Sequence, residues 1–226
     1  MKISEYYIER IEPLGAKYFV LRTQGNLFKY LYDEAPFSAK DGGGLDFSVS
    51  MLTALIKEAH SKHYCDGLYI TGGEPLNFAK EINELVSELA IPVFIETATP
   101  NLAEYISSST YIYHPYLRNY ADKYLNFYPR VWEYPHMWKI DIGDGADVEL
   151  FIEFAARHNM KNECVWLYPV ATNNNELRYA EHTAETVALN TLRMMGIKNC
   201  NVWKHTAPTR KPHVVIEDKS VFNAGN

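Results

Sequence analysis

The chain has 226 residues and is 47% hydrophobic, enough to bury a sizeable core as one α/β domain spanning 1–226. Its 28 acidic residues against 22 basic ones give a formal net charge of −6, without the basic footprint of a nucleic-acid or anionic-membrane binder. A small molecule or a protein is therefore the expected partner, and nucleic acid ranks last. The opening MKISEYYIERIE is charged and lacks an apolar stretch of signal-peptide length. No apolar run approaches the roughly 18 residues of a membrane span, so a cytoplasmic protein without a membrane partner is expected.

In chain order, apolar runs rich in β-branched and aromatic residues alternate with helical patterns. The runs predict strands over 18–23, 67–71, 92–97, 110–113, 137–142, 164–169 and 200–203, with helices over 48–63, 78–89, 101–107, 147–158 and 176–195. Between 114 and 136 lies an irregular stretch rich in tyrosine, proline and asparagine, a lid or an interaction surface. Such an alternation is too short for a full eight-stranded β/α barrel, which takes about 250 residues. A partial, open β/α barrel with six to seven mainly parallel strands is the expected α/β fold, with ligands at the C-terminal strand ends.

The most informative segment is Thr71-Gly72-Gly73-Glu74-Pro75-Leu76, where the second predicted parallel strand ends in two glycines. Glycines there permit a close approach that side chains would block, and a carboxylate at Glu74 suits the ammonium group of an amino-acid moiety. The same residues also suit an ordinary strand-to-helix turn with proline at the first helical position. The three cysteines, Cys65, Cys164 and Cys200, are far apart and read as buried free thiols. The pair His60 and His63 lacks the partners of a zinc motif, and no metal site is expected.

The Gly-Gly-Glu-Pro at this strand end resembles the segment that holds the amino group of S-adenosylmethionine (SAM) in radical SAM enzymes. Further segments resemble 7-carboxy-7-deazaguanine synthases within that superfamily. Tyr18-Phe19-Val20-Leu21-Arg22-Thr23-Gln24-Gly25 is similar to the strand entering their cluster loop, Phe94-Ile95-Glu96-Thr97 to a strand end, and Trp138-Lys139-Ile140 to a lysine-bearing strand. Val165-Trp166-Leu167-Tyr168-Pro169 is similar to a late strand of the family. The cluster loop of that family reads roughly C-N-L-x-C-x-x-C-D, whereas this chain reads Gly25-Asn26-Leu27-Phe28-Lys29-Tyr30-Leu31-Tyr32-Asp33. The first cysteine is deleted, and Lys29 and Tyr32 stand in the other two places.

The resemblance implies a SAM pocket at Gly72, Gly73, Glu74, Pro75, Glu96 and Thr97, substrate contacts at Arg22 and Lys139, and a degenerate cluster loop at Gly25, Lys29, Tyr32 and Asp33. Neither an ammonium nor a phenol replaces a thiolate on iron, so no iron–sulfur cluster is expected. Without it there is no electron source for SAM cleavage. Glu34 stands where the family has a magnesium-binding threonine, and Glu12-Pro13-Leu14-Gly15 replaces a substrate motif, which puts magnesium and substrate binding in question. The expected protein is a pseudoenzyme that binds SAM or a protein partner, as a homodimer or through its aromatic stretch. An alternative is a cluster-independent enzyme acting on a purine, a pterin or SAM through Glu74, Glu96, Lys139 or Asp33.

Overall fold

The computed structural model describes residues 1–25, 44–98, 106, 108–118, 136–161, 163–171 and 173–203. Most of the aromatic stretch, the loop residues Lys29, Tyr32, Asp33 and Glu34, and the predicted helix over 101–107 (all but 106) lie outside them. The chain opens with β1 (Lys2–Ile11), a 3-10 turn (Glu12–Leu14) and β2 (Ala16–Thr23). Gly15 closes the turn at a φ of 72°, donating to the carbonyls of Ile11 and Glu12, so Glu12-Pro13-Leu14-Gly15 forms a hairpin turn.

A two-residue strand β3 (Leu45–Asp46) leads to helix α1 (Val49–Ser61), followed by β4 (Gly67–Gly72), helix α2 (Ala79–Ser87), β5 (Val93–Thr97) and β6 (Thr110–Tyr113). The second half comprises β7 (His136–Ile142), α3 (Gly145–Arg157), β8 (Cys164–Pro169), α4 (Asn174–His182), α5 (Leu189–Met194) and β9 (Asn199–Val202). These strands form one sheet in the order β3-β1-β2-β4-β5-β6-β7-β8-β9. From β2 to β9 every pairing is parallel, while β1 pairs antiparallel with both β2 and β3. No pairing among the described residues joins the two edges, so the sheet stays open, as a partial barrel requires.

Parallel strands covered on both faces need apolar side chains on both, and this explains why the seven predicted runs are nearly continuous. Alternate residues of the strands divide between two cores. Phe19, Leu21, Leu68, Ile70 and Ile95 join Leu52 and Ile56 of α1, Ile82 and Leu85 of α2, and Phe151 and Phe154 of α3 on the helix-covered face. Tyr18, Val20, Tyr69 and Ile112 pack with Tyr7 and Ile11 of β1 on the opposite face. Ser48 caps α1, its side chain accepting from the Met51 amide at 3.2 Å. Asp144 and Asp147 form a capping box on α3, and both carboxylates also hold Arg118, at 2.5 and 2.7 Å.

All seven predicted parallel strands are present; the sequence reading missed β1 and β3. β1 carries Lys2, Glu5, Glu9 and Arg10, and its alternation breaks at an irregularity between Ile3 and Glu5, so it reads as a charged terminus. The helix predicted over 176–195 is split by a π-helical stretch, Thr183–Ala188, between α4 and α5. Cys65 and Cys200 are buried free thiols, whereas Cys164 is only half-buried because it opens β8 at the rim of the sheet. Among the described residues no helix is long and apolar enough to cross a membrane. Replacing Asp144 with alanine removes both the helix cap and one Arg118 partner. It should lower the unfolding free energy by about 0.5–2 kcal/mol, measured by urea denaturation.

Candidate functional site

Parallel strands place all their C-terminal ends on one side of the sheet, and there the Gly-Gly-Glu-Pro segment closes β4. Gly72 has a φ of 108°, and a Cβ built on it would lie 2.6 Å from the backbone of Thr23. A Cβ on Gly73 would lie 2.0 Å from the carbonyl oxygen of Gly25. The two glycines therefore let the end of β4 lie directly on the end of β2. The Gly73 amide donates to the Thr23 carbonyl and the Glu74 amide to that of Gly25, each at 2.9 Å.

The Glu74 side chain points inward, with 1% of the residue exposed. One carboxylate oxygen accepts from the Leu76 amide at 3.0 Å and the Thr97 hydroxyl at 2.8 Å; the other accepts from the Ala98 amide at 3.1 Å. Thus Glu74 clasps the ends of β4 and β5 together, while Pro75 opens the following 3-10 turn. Of the predicted cofactor-binding residues, Glu74 and Thr97 are joined directly; Gly25, predicted at the start of the degenerate cluster loop, accepts from the Glu74 amide and lies against Gly73. The carboxylate assigned to a ligand's ammonium is committed here to protein donors.

Glu96 faces the other way, into the concave side, and gathers a second constellation. Its Oε1 accepts from Lys139 Nζ at 3.0 Å and lies 2.6 Å from His114 Nδ1. Its Oε2 accepts from the Thr71 hydroxyl at 3.2 Å and from the Tyr69 hydroxyl in a short bond. The other His114 nitrogen, Nε2, lies 2.7 Å from Asp141 Oδ1. Lys139 Nζ also sits 4.0 Å from the centre of the Tyr168 ring and 4.9 Å from that of Trp203. Glu96, His114, Lys139 and Asp141 thus form one buried ion cluster at the C-terminal ends of β5, β6 and β7.

Burial opposes ionisation of Glu96, yet Lys139, His114 and the Tyr69 hydrogen bond hold its carboxyl well below the usual range. Burial likewise opposes the imidazolium, but Asp141, assisted by the hydrogen bond to Glu96, outweighs both burial and Lys139 and pushes His114 up to about 9. His114 is therefore doubly protonated at neutral pH, donating to a carboxylate on each side. The cluster holds two cations and two anions.

Arg22, for which the resemblance implies a substrate contact, is held within the protein. It is 6% exposed, pairs with Glu5 at 2.8 Å and donates to the Tyr7 hydroxyl at 3.2 Å. The His60 ring is engaged by the Cys65 carbonyl at 3.0 Å, and no group of three metal-ligating side chains occurs among the described residues.

Sequence reasoning singled out Glu96 and Lys139 but missed His114, Asp141 and Tyr69. A signal was present: Lys139-Ile140-Asp141 places two charges on one face of an otherwise apolar strand, and buried charges require partners. His114 directly follows β6 and opens the irregular aromatic stretch, so no strand pattern marks it.

Two outcomes test this geometry. Gly73→Ala should cost about 2–3 kcal/mol or more in the ligand-free protein, read by chemical denaturation; unchanged stability would leave the glycine with a ligand role alone. The His114 pKa is raised above its unfolded value near 6.5, so its contribution is fully present below that value and is lost as pH rises through about 9. The melting-temperature gap between wild type and His114→Gln should therefore be widest near pH 6 and shrink towards pH 10. A gap constant over that range would rule out the imidazolium.

No family model matches the chain, and no curated protein does. Among solved structures, the crystal structure of QueE from Escherichia coli is similar, with a TM-score of 0.62 at 16% identity, covering 90% of this chain and 94% of that one. At this identity the likeness is one of fold: the chain shares with QueE a mixed α/β architecture built on an open, mostly parallel sheet.

Proposed function

We propose that the chain is a QueE-like protein that has given up radical chemistry and acts by binding a small ligand such as SAM, a protein partner, or both. The observation that carries this reading is where the thiols lie. Cys65 precedes β4, Cys164 is the first residue of β8 and Cys200 the second of β9. All three sit at the N-terminal side of the parallel strands, opposite the Gly-Gly-Glu-Pro turn. A six-residue strand such as β8 spans about 16 Å from first to last Cα. A [4Fe–4S] cluster needs thiolates converging on one point, and these residues do not fit it.

The buried ion cluster favours binding over acid–base turnover as well. Both His114 nitrogens donate to carboxylates, and Lys139 is held by Glu96 between two rings. Neither is poised to take a proton from a substrate. Glu74, with its internal partners, serves the fold.

Anaerobic reconstitution with iron and sulfide, followed by an assay for 5′-deoxyadenosine, should give neither a stoichiometric cluster nor product. Recovery of both would overturn the reading. Calorimetric titration with SAM should give a one-to-one isotherm. Absence of heat would remove SAM and direct the search to protein partners of the stretch over 114–136.

A further inference from the structure

Each cation of the ion cluster has a carboxylate partner, but the two carboxylates are unequally engaged. Both oxygens of Glu96 carry two donors each. Asp141 Oδ1 takes His114, whereas Asp141 Oδ2 has no partner among the described residues. The order of exposure has the same sense. The carboxylates of Asp141 and Glu96 are 16% and 11% exposed, and the cations beneath them, His114 and Lys139, 6% and 5%. Rings border the same cluster: the half-buried Tyr116 ring lies 4.4 Å from that of His114, and Tyr168, paired in register with Asp141, meets Trp203 edge-on at 5.4 Å.

We propose that this mouth binds an aromatic organic cation carrying N–H donors, an amine or an amidine, with Asp141 Oδ2 as its acceptor and the rings of Tyr116 and Trp203 as its walls. A partly desolvated carboxylate oxygen lacking a donor favours a charge-assisted hydrogen bond, and rings beside it favour a planar cation. An anion finds the carboxylates outermost and every buried cation already neutralised, so it is disfavoured. This rests on the ligand-binding reading above and names the chemistry that the site selects.

The test compares benzamidine with benzoate, which share a ring and differ in charge, by saturation-transfer NMR and calorimetry on the full chain. Benzamidine should bind and benzoate should not. Asp141→Asn keeps a side-chain oxygen for His114 and, in the fraction that folds, should weaken benzamidine at least about tenfold, the loss of one charge-assisted hydrogen bond. If that variant folds poorly, Trp203→Leu removes a wall without removing a charge from the cluster and should weaken benzamidine severalfold. Benzoate binding as tightly as benzamidine, no benzamidine binding to wild type, or unchanged affinity in a folded Asp141→Asn would each overturn the inference. A protein that binds SAM but not benzamidine would lose this inference alone, and the ligand-binding reading would stand.

Discussion

The contact of Gly73 with Gly25 is one on which the rest of the concave face depends. Two strand ends meet backbone to backbone, with no room for a Cβ on Gly72 or Gly73. Glu74 then fixes β4 to β5 through Thr97 and Ala98. With β2, β4 and β5 locked at their C-terminal ends, Arg22, Thr71 and Glu96 come to lie on the same side of adjacent strands, and β6 and β7 add His114, Lys139 and Asp141. The Gly-Gly pair thus has a cause in the fold itself, since a side chain at either position would force the strand ends apart.

The ion cluster is costly to build and informative for that reason. Moving four charged groups out of water is unfavourable, and their mutual attraction offsets this only when geometry and charge balance are good. Here two cations and two carboxylates alternate through hydrogen bonds, and Tyr69 and Thr71 fill the remaining positions on Glu96. Such a set specifies one arrangement of β5, β6 and β7 more than it adds net stability. Removing any one charge leaves its partners buried and uncompensated.

The outer and inner faces of the sheet divide the labour. The helix-covered face is apolar throughout and carries the hydrophobic stabilisation, with Leu52, Ile56, Ile82, Leu85, Phe151 and Phe154 supplied by three amphipathic helices. The concave face is apolar near the N-terminal strand ends and polar near the C-terminal ones. That gradient places the chemistry where parallel α/β sheets generally hold their ligands.

From the amino-acid sequence alone came seven parallel strands, four of the helices and the absence of a thiolate triad. Each rests on local information: strands buried on both faces must be continuously apolar, amphipathic helices repeat every 3.6 residues, and an absent cysteine is visible without a fold. β1 escaped because it pairs on one side only beyond Ile3, and such a strand tolerates charge. Only the tertiary structure decided which polar residues meet. Glu96 and Lys139 are 43 residues apart, and His114 and Asp141 are 27 apart. Their pairing depends on strand order and register, and a shift of one residue would turn each side chain to the opposite face.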